Sequence, residues 1–227
     1  MGQRAGNGAG RSRRGASCAL AAILIAAASA GGRPAGAEPY RIDYAKSELV
    51  VRVFKAGPAS ALAHDHVVRA ARWEGTLDVN RDPIALAADL RVEVAALDVD
   101  DPALRARYQL DGVLSDADRA EVRANMLGEG QLDAGRHPEI RFRAAEIDRA
   151  GADFRLAGEF TLHGRSKRVV LPISVTESAE ELTARGSLRV KQSDFGIVPH
   201  SAFLGAVRNQ DEIELVVTIV ASPAEEP

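Results

Sequence analysis

Two histidines separated by one residue form the most conspicuous chemical pattern of the chain, in the segment His64-Asp65-His66. On a β-strand, residues i and i+2 point to the same face about 7 Å apart, so two imidazoles there can share a Zn²⁺ or Cu²⁺ ion. A third ligand would have to come from a distant part of the chain, and the histidine candidates are His137, His163 and His200. Because no third ligand is placed beside the pair, the sequence favours the alternative, in which these histidines bind backbone atoms or solvent.

Serine and histidine also occur close together, in His200-Ser201 and in the segment His163-Gly164-Arg165-Ser166. Neither serine has the Gly-x-Ser-x-Gly surroundings of a hydrolase nucleophile, and adjacent residues on a strand point to opposite faces. The chain also has no Gly-rich phosphate loop, no cysteine pair and no EF-hand loop. The sequence therefore predicts a protein that is not an enzyme, with no catalytic residue, no metal site and no cofactor.

Alternating apolar and polar residues predict the elements that would hold these side chains. Such alternation is typical of antiparallel strands with one face in water, and the short polar connections favour pairing between sequential strands. Eight meandering strands can close into a barrel whose interior is either filled by side chains or holds one small ligand. The fold class predicted is therefore all-β, an eight-stranded antiparallel barrel. The eight segments are 49–54, 73–80, 88–94, 140–144, 156–162, 169–175, 182–190 and 212–219.

One segment departs from this pattern and predicts a short helix. Ser115 is a suitable N-cap for a helix over residues 116–127, with acidic residues in its first turn and Gly128 after its end. The helix either lies against the barrel mouth or is an ordinary surface helix. The preceding stretch, residues 97–114, has no clear periodicity and is predicted to be a long loop.

The first 37 residues have the order of a secretory signal peptide. Residues 1–17 carry four arginines and no acid, residues 18–30 are small or apolar, and small residues follow. The apolar run is shorter than the roughly 18 residues that a membrane span needs. We therefore expect a periplasmic or secreted protein, cleaved after Ala37 or, alternatively, after Ala30.

Two other export signals compete with this interpretation. The pair Arg13-Arg14 leaves the twin-arginine route open, although Ala16 and Ser17 stand where that signal has bulky apolar residues. Cys18 precedes the apolar run instead of following it, which is the wrong order for a lipoprotein.

The charge of the mature chain excludes several classes of partner. The whole chain is 46% hydrophobic and 4% aromatic, with 29 basic and 32 acidic residues. Removal of residues 1–37 leaves 24 basic residues against the same 32 acidic ones, a net charge of −8, and no cysteine. A chain of this kind does not bind nucleic acid or anionic membranes by charge, and it forms no disulfide. No integral membrane segment is expected after cleavage. The sequence leaves open whether the protein forms a homodimer.

Small residues on the apolar faces favour a barrel interior that is partly vacant. A vacant interior would take an apolar ligand of lipid size. The alternative is a solid core that packs itself, which would make the protein an interaction module. The residues of the apolar faces leave both interpretations open. The small residues are Ala88, Ala144, Gly158, Ala184 and Gly186.

Five motifs in order resemble the YceI-like family of exported proteins that bind polyisoprenoids and other lipids. The resemblance covers residues 39–222, nearly all of the mature chain. Three departures stand out: the family usually has Tyr at the position of His137, the segment Ala63-His64-Asp65-His66-Val67 is typical of a subgroup, and residues 98–130, which should flank the pocket mouth, differ from the usual pattern. The five motifs are residues 40–49, 132–142, 158–167, 193–197 and 211–215.

The resemblance implies a lipocalin-like barrel over residues 38–223, followed by a tail of residues 224–227. It also implies an elongated apolar pocket for an isoprenoid chain, such as a polyprenyl lipid or the tail of a quinone. Metal binding through His64 and His66 and the interaction module with a filled core remain the alternatives. The side chains expected to line the pocket are Phe54, Trp73, Leu90, Val92, Phe142, Phe160, Leu171, Leu188, Val190 and Leu215.

Overall fold

A computed structural model of the chain describes residues 36–81, 84–178 and 180–224. The predicted signal peptide therefore lies outside the described residues, apart from Gly36 and Ala37, and so does the predicted tail after Ala224.

Twelve strands and two α-helices make up the described chain. The helices are α1 (Pro102–Arg107) and α2 (Asp116–Leu127). The strands are β1 (Glu38–Ile42), β2 (Glu48–Ala56), β3 (His66–Ala70), β4 (Trp73–Arg81), β5 (Ile84–Glu93), β6 (Leu97–Val99), β7 (Glu139–Ala150), β8 (Asp153–Leu162), β9 (Arg165–Glu177), β10 (Leu182–Lys191), β11 (Ser201–Ala202) and β12 (Val207–Pro223).

Eight of these strands form a closed antiparallel ring, which confirms the predicted barrel. Their order is β1, β4, β5, β7, β8, β9, β10 and β12, and β12 returns to pair with β1. The strands β2, β3 and β6 extend the same ring towards one end. β2 follows β1 along β12, while β3 pairs with β2 and β6 pairs with β3. Three strands of the barrel are therefore bent, and each consists of two consecutive segments: β1 and β2, β3 and β4, and β5 and β6.

The eight predicted segments coincide with β2, β4, β5, β7, β8, β9, β10 and β12, whereas β1, β3, β6 and β11 were missed. The missed strands have two to five residues. A run this short shows too little alternation to be recognised by periodicity.

The predicted helix over residues 116–127 is α2, with the predicted boundaries. Ser115 Oγ accepts a hydrogen bond from the backbone N–H of Asp118 at 3.1 Å, and the Asp118 carboxylate accepts one from the N–H of Ser115. This reciprocal capping box satisfies two donors that a helix start otherwise leaves free. Val122 and Met126 pack against the buried side chains of β3 and β6, so the helix lies at the barrel mouth.

The stretch over residues 97–114 is not the continuous loop that the sequence predicted, because it contains β6 and α1. Asp101 caps α1 by accepting a hydrogen bond from the N–H of Leu104 at 2.9 Å, and proline occupies the first turn. Leu104 is buried against Val50 and Val67, which belong to β2 and β3. The helix has only six residues, too few to show a period of 3.6 in sequence.

Candidate functional site

An apolar cavity of about 930 Å³ runs through the barrel. Leucine, isoleucine, valine and phenylalanine side chains of all eight barrel strands line it. Its inner end lies near the hairpin turns after β4, β7 and β9, where Ile84, Phe154 and Leu182 contribute to the wall. Its mouth lies at the opposite end, beside α2 and the segment after β10. Space of this size and polarity suits one elongated apolar ligand.

The structure brings seven of the ten predicted wall residues together around this cavity. Small side chains leave the space between them open, because Ala88, Ala184 and Gly186 also belong to the wall. This open interior contradicts the alternative of an interaction module whose barrel is filled by its own side chains. The seven residues are Leu90, Val92, Phe142, Phe160, Leu171, Leu188 and Leu215.

The other three predicted wall residues lie outside the cavity lining. Phe54 is on the outer face of β2, where the guanidinium group of Arg52 lies 5.1 Å from its ring; its neighbour Val53 lines the cavity instead. A difference of one residue along a strand changes the face, which is why the prediction failed here.

Trp73 stands where β3 bends into β4, and its ring packs edge to face against that of Tyr44 at 4.8 Å. Trp73 lies opposite Val92 on the inward face of the sheet and packs against the buried clusters there, but it lies outside the cavity lining. Val190 points inward but is buried in a cluster with Phe160, Phe195 and Ile213, so its side chain does not line the cavity.

The mouth carries apolar side chains that are exposed to solvent. Leu62, Val113 and Phe203 line the cavity and are each at least 82% exposed. The cavity wall is therefore continuous with an apolar rim.

A buried hydrogen-bonded network brings one polar group to the same mouth. His66 lines the cavity, and its Nδ1 lies 2.6 Å from Oδ2 of Asp100, a residue with no exposed surface. The other carboxylate oxygen of Asp100 accepts hydrogen bonds from the N–H of Val67 at 3.1 Å and from Arg105 Nη1 at 2.8 Å. Because Nδ1–H donates to the carboxylate, the Nε2 atom of His66 is the ring nitrogen left for a ligand.

The Asp100 carboxylate stays ionised in this network. Burial alone raises the pKa of Asp100, but the hydrogen bonds and charges of its partners outweigh burial and hold the pKa below its ordinary value. An ionised Asp100 balances the buried charge of Arg105, which is 4% exposed.

Asp100 and Arg105 were missed by the sequence analysis, since both lie in the stretch that was predicted to be a loop. The signal that would have found them is Asp101-Pro102, a cap and first turn of a helix, directly after a short apolar strand.

The structure does not build a metal site around His64 and His66. His66 is engaged by Asp100, and the ring of His64 lies against Gly112. Within residues 36–81, 84–178 and 180–224, neither belongs to a group of three ligating side chains close enough to share an ion. His200 also lines the cavity mouth, whereas His137 and His163 lie next to each other at a separate place.

Comparisons with known proteins agree with this architecture. The model of the YceI-like domain matches residues 40–221. The crystal structure of Burkholderia cenocepacia BcnA is similar to this chain with a TM-score of 0.62 and 19% identity, covering 80% of this chain and 100% of BcnA. The crystal structure of the Campylobacter jejuni YCEI protein has a TM-score of 0.53 and 14% identity, covering 70% and 85%. No protein of curated function matches the chain. Among the described residues, no helix is long and apolar enough to cross a membrane.

Proposed function

The chain belongs to the YceI-like domain family, and from that premise we propose that it is a non-enzymatic carrier of an apolar isoprenoid lipid. The ligand is a polyprenyl lipid or the tail of a quinone, held inside the barrel and shielded from water. The cavity of about 930 Å³ with its aliphatic wall is the observation that carries this proposal.

The hydrophobic effect supplies the binding energy in this proposal. An isoprenoid tail that buries about 300 Å² of apolar surface gains roughly 7 kcal/mol, at about 25 cal/mol per Å², before the cost of association. Because this term grows with buried area, longer tails bind more tightly until the cavity is full.

The polar head of the ligand lies at the mouth in this proposal, next to His66. With Nδ1 engaged by Asp100, Nε2 is the ring nitrogen of His66 that can form a hydrogen bond with a hydroxyl group on the head of the lipid. The buried Asp100 holds the ring in this orientation. A ligand with a polar head therefore enters tail first.

The proposal includes a location in the cell envelope. Residues 1–37 would be removed as a signal peptide, and residues 38–223 would form the lipid-binding domain. The periplasm or the medium is the place where a water-soluble carrier of isoprenoid lipids is needed, because such lipids cannot cross an aqueous space unaided.

The proposal is tested with a charge placed inside the barrel. Leu188 lines the cavity from the middle of β10, and Leu188→Asp puts a carboxylate against the tail. Burial of an unpaired charge is strongly unfavourable, so we expect at least a tenfold loss of affinity for a fluorescent polyprenol. Ser187→Asp is the matched control, since the adjacent side chain is exposed on the outer face and should leave affinity unchanged.

A second experiment identifies the ligand. Protein purified from its native envelope is extracted with organic solvent, and the extract is analysed by mass spectrometry. An isoprenoid lipid near one equivalent is expected. Extracts without lipid, together with equal polyprenol affinity in Leu188→Asp and Ser187→Asp, would overturn the proposed function.

A further inference from the structure

Three side chains outside the cavity lining converge at the mouth end of the barrel: Asp133, His137 and His163. Each can offer one ligand atom, and these atoms lie within 4.8 Å of one another. We propose that they form a binding site for a divalent transition-metal ion. The proposal stands independently of the lipid carrier function.

The local backbone brings the first two ligands to the same side of a turn. Asp133 and His137 follow α2, and the carbonyl of Asp133 accepts hydrogen bonds from the N–H groups of Arg136 at 2.9 Å and His137 at 2.8 Å. This turn directs both side chains towards the hairpin that joins β8 to β9. The Asp133 side chain is buried there, whereas His137 is half-buried.

The hairpin supplies the third ligand and leaves room for the second. His163 occupies the turn, and its ring packs edge to face against that of His137, with 4.4 Å between the ring centroids. The next residue, Gly164, has a φ of +69°, and a Cβ atom there would stand 2.8 Å from the His137 ring. Glycine at this position therefore allows the two imidazoles to approach each other.

Hydrogen bonding prepares His163 to act as a ligand. Its Nδ1 lies 3.3 Å from the carbonyl oxygen of Phe195, to which an N–H at that position donates. The Nε2 atom then carries the free lone pair that a metal requires. Fixing the tautomer in this way is typical of histidines that ligate metals.

The backbone of two ligands is held in an uncommon conformation. Asp133 has a φ of +45° and His163 a φ of +51°, in the left-handed region that residues other than glycine rarely adopt. At His163 the two-residue turn between β8 and β9 requires this conformation, with Gly164 also at positive φ, and the turn fixes the direction in which the imidazole leaves the backbone.

The Asp133 carboxylate pairs with Arg136, and this pairing competes only weakly with a metal ion. Arg136 Nη1 lies 3.3 Å from Asp133 Oδ2, but the arginine side chain is 78% exposed. Because the guanidinium group stays in solvent, its pairing with the buried carboxylate is easily displaced by a divalent ion.

The donor set determines the class of metal. Two imidazole nitrogens and one carboxylate oxygen suit Zn²⁺ and neighbouring divalent ions of the first transition series. Ligand atoms of a tetrahedral Zn²⁺ ion lie roughly 3.4 Å apart, given bonds of about 2.0–2.2 Å. Because the ligand atoms lie within 4.8 Å of one another, the three side chains need to approach by at most about 1.4 Å. A fourth position is left for water, and the bound ion would tie the turn after α2 to the β8–β9 hairpin.

The test measures Zn²⁺ binding by isothermal titration calorimetry at neutral pH. It uses the full chain without a histidine tag, after removal of metal with EDTA. We expect one Zn²⁺ ion per chain at this site with a micromolar or lower Kd. His137→Gln and Asp133→Asn should each weaken binding at least tenfold, and the thermal midpoint of the metal-free variants shows whether they fold.

His200→Gln is the matched control, because His200 is a second histidine of the mouth that lies in the cavity lining. It should bind Zn²⁺ as the unaltered chain does. Absence of Zn²⁺ binding to the unaltered chain, or equal affinity in the unaltered chain, His137→Gln and Asp133→Asn, would overturn the proposal. Saturating Zn²⁺ should also raise the thermal midpoint of the unaltered chain and of His200→Gln but not that of His137→Gln.

Discussion

Asp100 connects the stability of the barrel to the polar group at its mouth. It has no exposed surface and pairs with His66 at the mouth and with Arg105 in α1. Arg105 also donates to the carbonyl oxygen of Asp65, at 2.9 Å. One carboxylate thus orients a cavity residue, compensates a buried cation and fastens an outer helix to the sheet.

Substitution of Asp100 tests this arrangement. Asp100→Asn leaves the buried guanidinium of Arg105 without its counter-charge, which costs about 3–5 kcal/mol of unfolding free energy at pH 7. Asp98→Asn is the control, because the pair of Asp98 with Arg69 is about one-third exposed and contributes at most about 1 kcal/mol. Urea unfolding measures both. Equal losses in the two variants would contradict the role assigned to Asp100.

The same residue predicts a pH dependence. The folded pKa of Asp100 lies below its ordinary value, and an aspartate in the unfolded chain titrates near pH 3.9. Ionised Asp100 therefore contributes its full stability above about pH 5, and the contribution falls as the pH drops through 3.9 towards the folded pKa. The difference in unfolding free energy between the unaltered chain and Asp100→Asn should be smaller at pH 3 than at pH 7. A difference that does not change with pH would show that the carboxylate charge is not what stabilises the site.

The two helices show what sequence patterns reveal about single elements. The boundaries of α2 followed from Ser115 and Gly128, because capping chemistry is local and is written in neighbouring residues. α1 was missed because Leu104 anchors it through contacts with Val50 and Val67, which are distant in sequence. A helix that depends on its own capping residues can be predicted from its sequence. A helix that depends on contacts with distant residues cannot, because those residues lie elsewhere in the chain.

Helix α2 is expected to control passage through the mouth, since Val122 and Met126 belong to the cavity lining. Ser115→Ala removes the capping box, which costs about 1 kcal/mol and loosens the first turn. We expect faster amide hydrogen exchange in residues 116–127 and faster dissociation of a bound fluorescent polyprenol. Ser115→Thr keeps a capping hydroxyl and should behave as the unaltered chain. If amide exchange became faster in Ser115→Ala but the rate of ligand dissociation did not change, α2 would not control ligand release.

A bulge in β7 lies where β7 and β8 approach each other closely. The register between β7 and β8 shifts between Ala144 and Glu146, and Gly158 of β8 lies opposite Ala144. A Cβ atom on Gly158 would stand 2.5 Å from the carbonyl oxygen of Arg143, so the strands approach closely only with glycine there. The sequence marked Gly158 as one of the small residues that leave the interior open. The structure places Gly158 outside the cavity lining, and its role there is to allow this close contact between two backbones.

Gly158→Ala should therefore destabilise the barrel by about 1–3 kcal/mol in urea unfolding, as overpacked sites do. Gly130→Ala is the matched control, because a Cβ atom there meets nothing within 4 Å. A loss of stability in Gly158→Ala no larger than that in Gly130→Ala would contradict the close approach.

At the scale of the whole molecule, the residues were enough to predict the barrel, whereas they left a vacant interior and a filled interior both open. Alternation in eight segments and short connections are enough to predict a closed meander. The cavity depends on how side chains of eight strands fill one volume. Leu90 and Leu188, for example, line it together with Ala184, and no single strand carries that information. The same holds for Asp133 and His163, which the fold brings together from separate motifs.

The length of the cavity should set the length of the lipid that it accepts. Ala184 lines the inner half, near the turn that joins β9 to β10, and it pairs with Val175 and Ile219. Ala184→Phe places a ring across this half and leaves the mouth unchanged. Short polyprenols should then bind as they do to the unaltered chain, while long ones lose at least tenfold in affinity, because their inner end can no longer be buried. Arg185→Phe puts the same side chain on the exposed outer face and should not alter the preference for length. Fluorescence competition with polyprenols of increasing length measures this, and an equal loss for short and long chains would mean that the tail does not extend to the inner end.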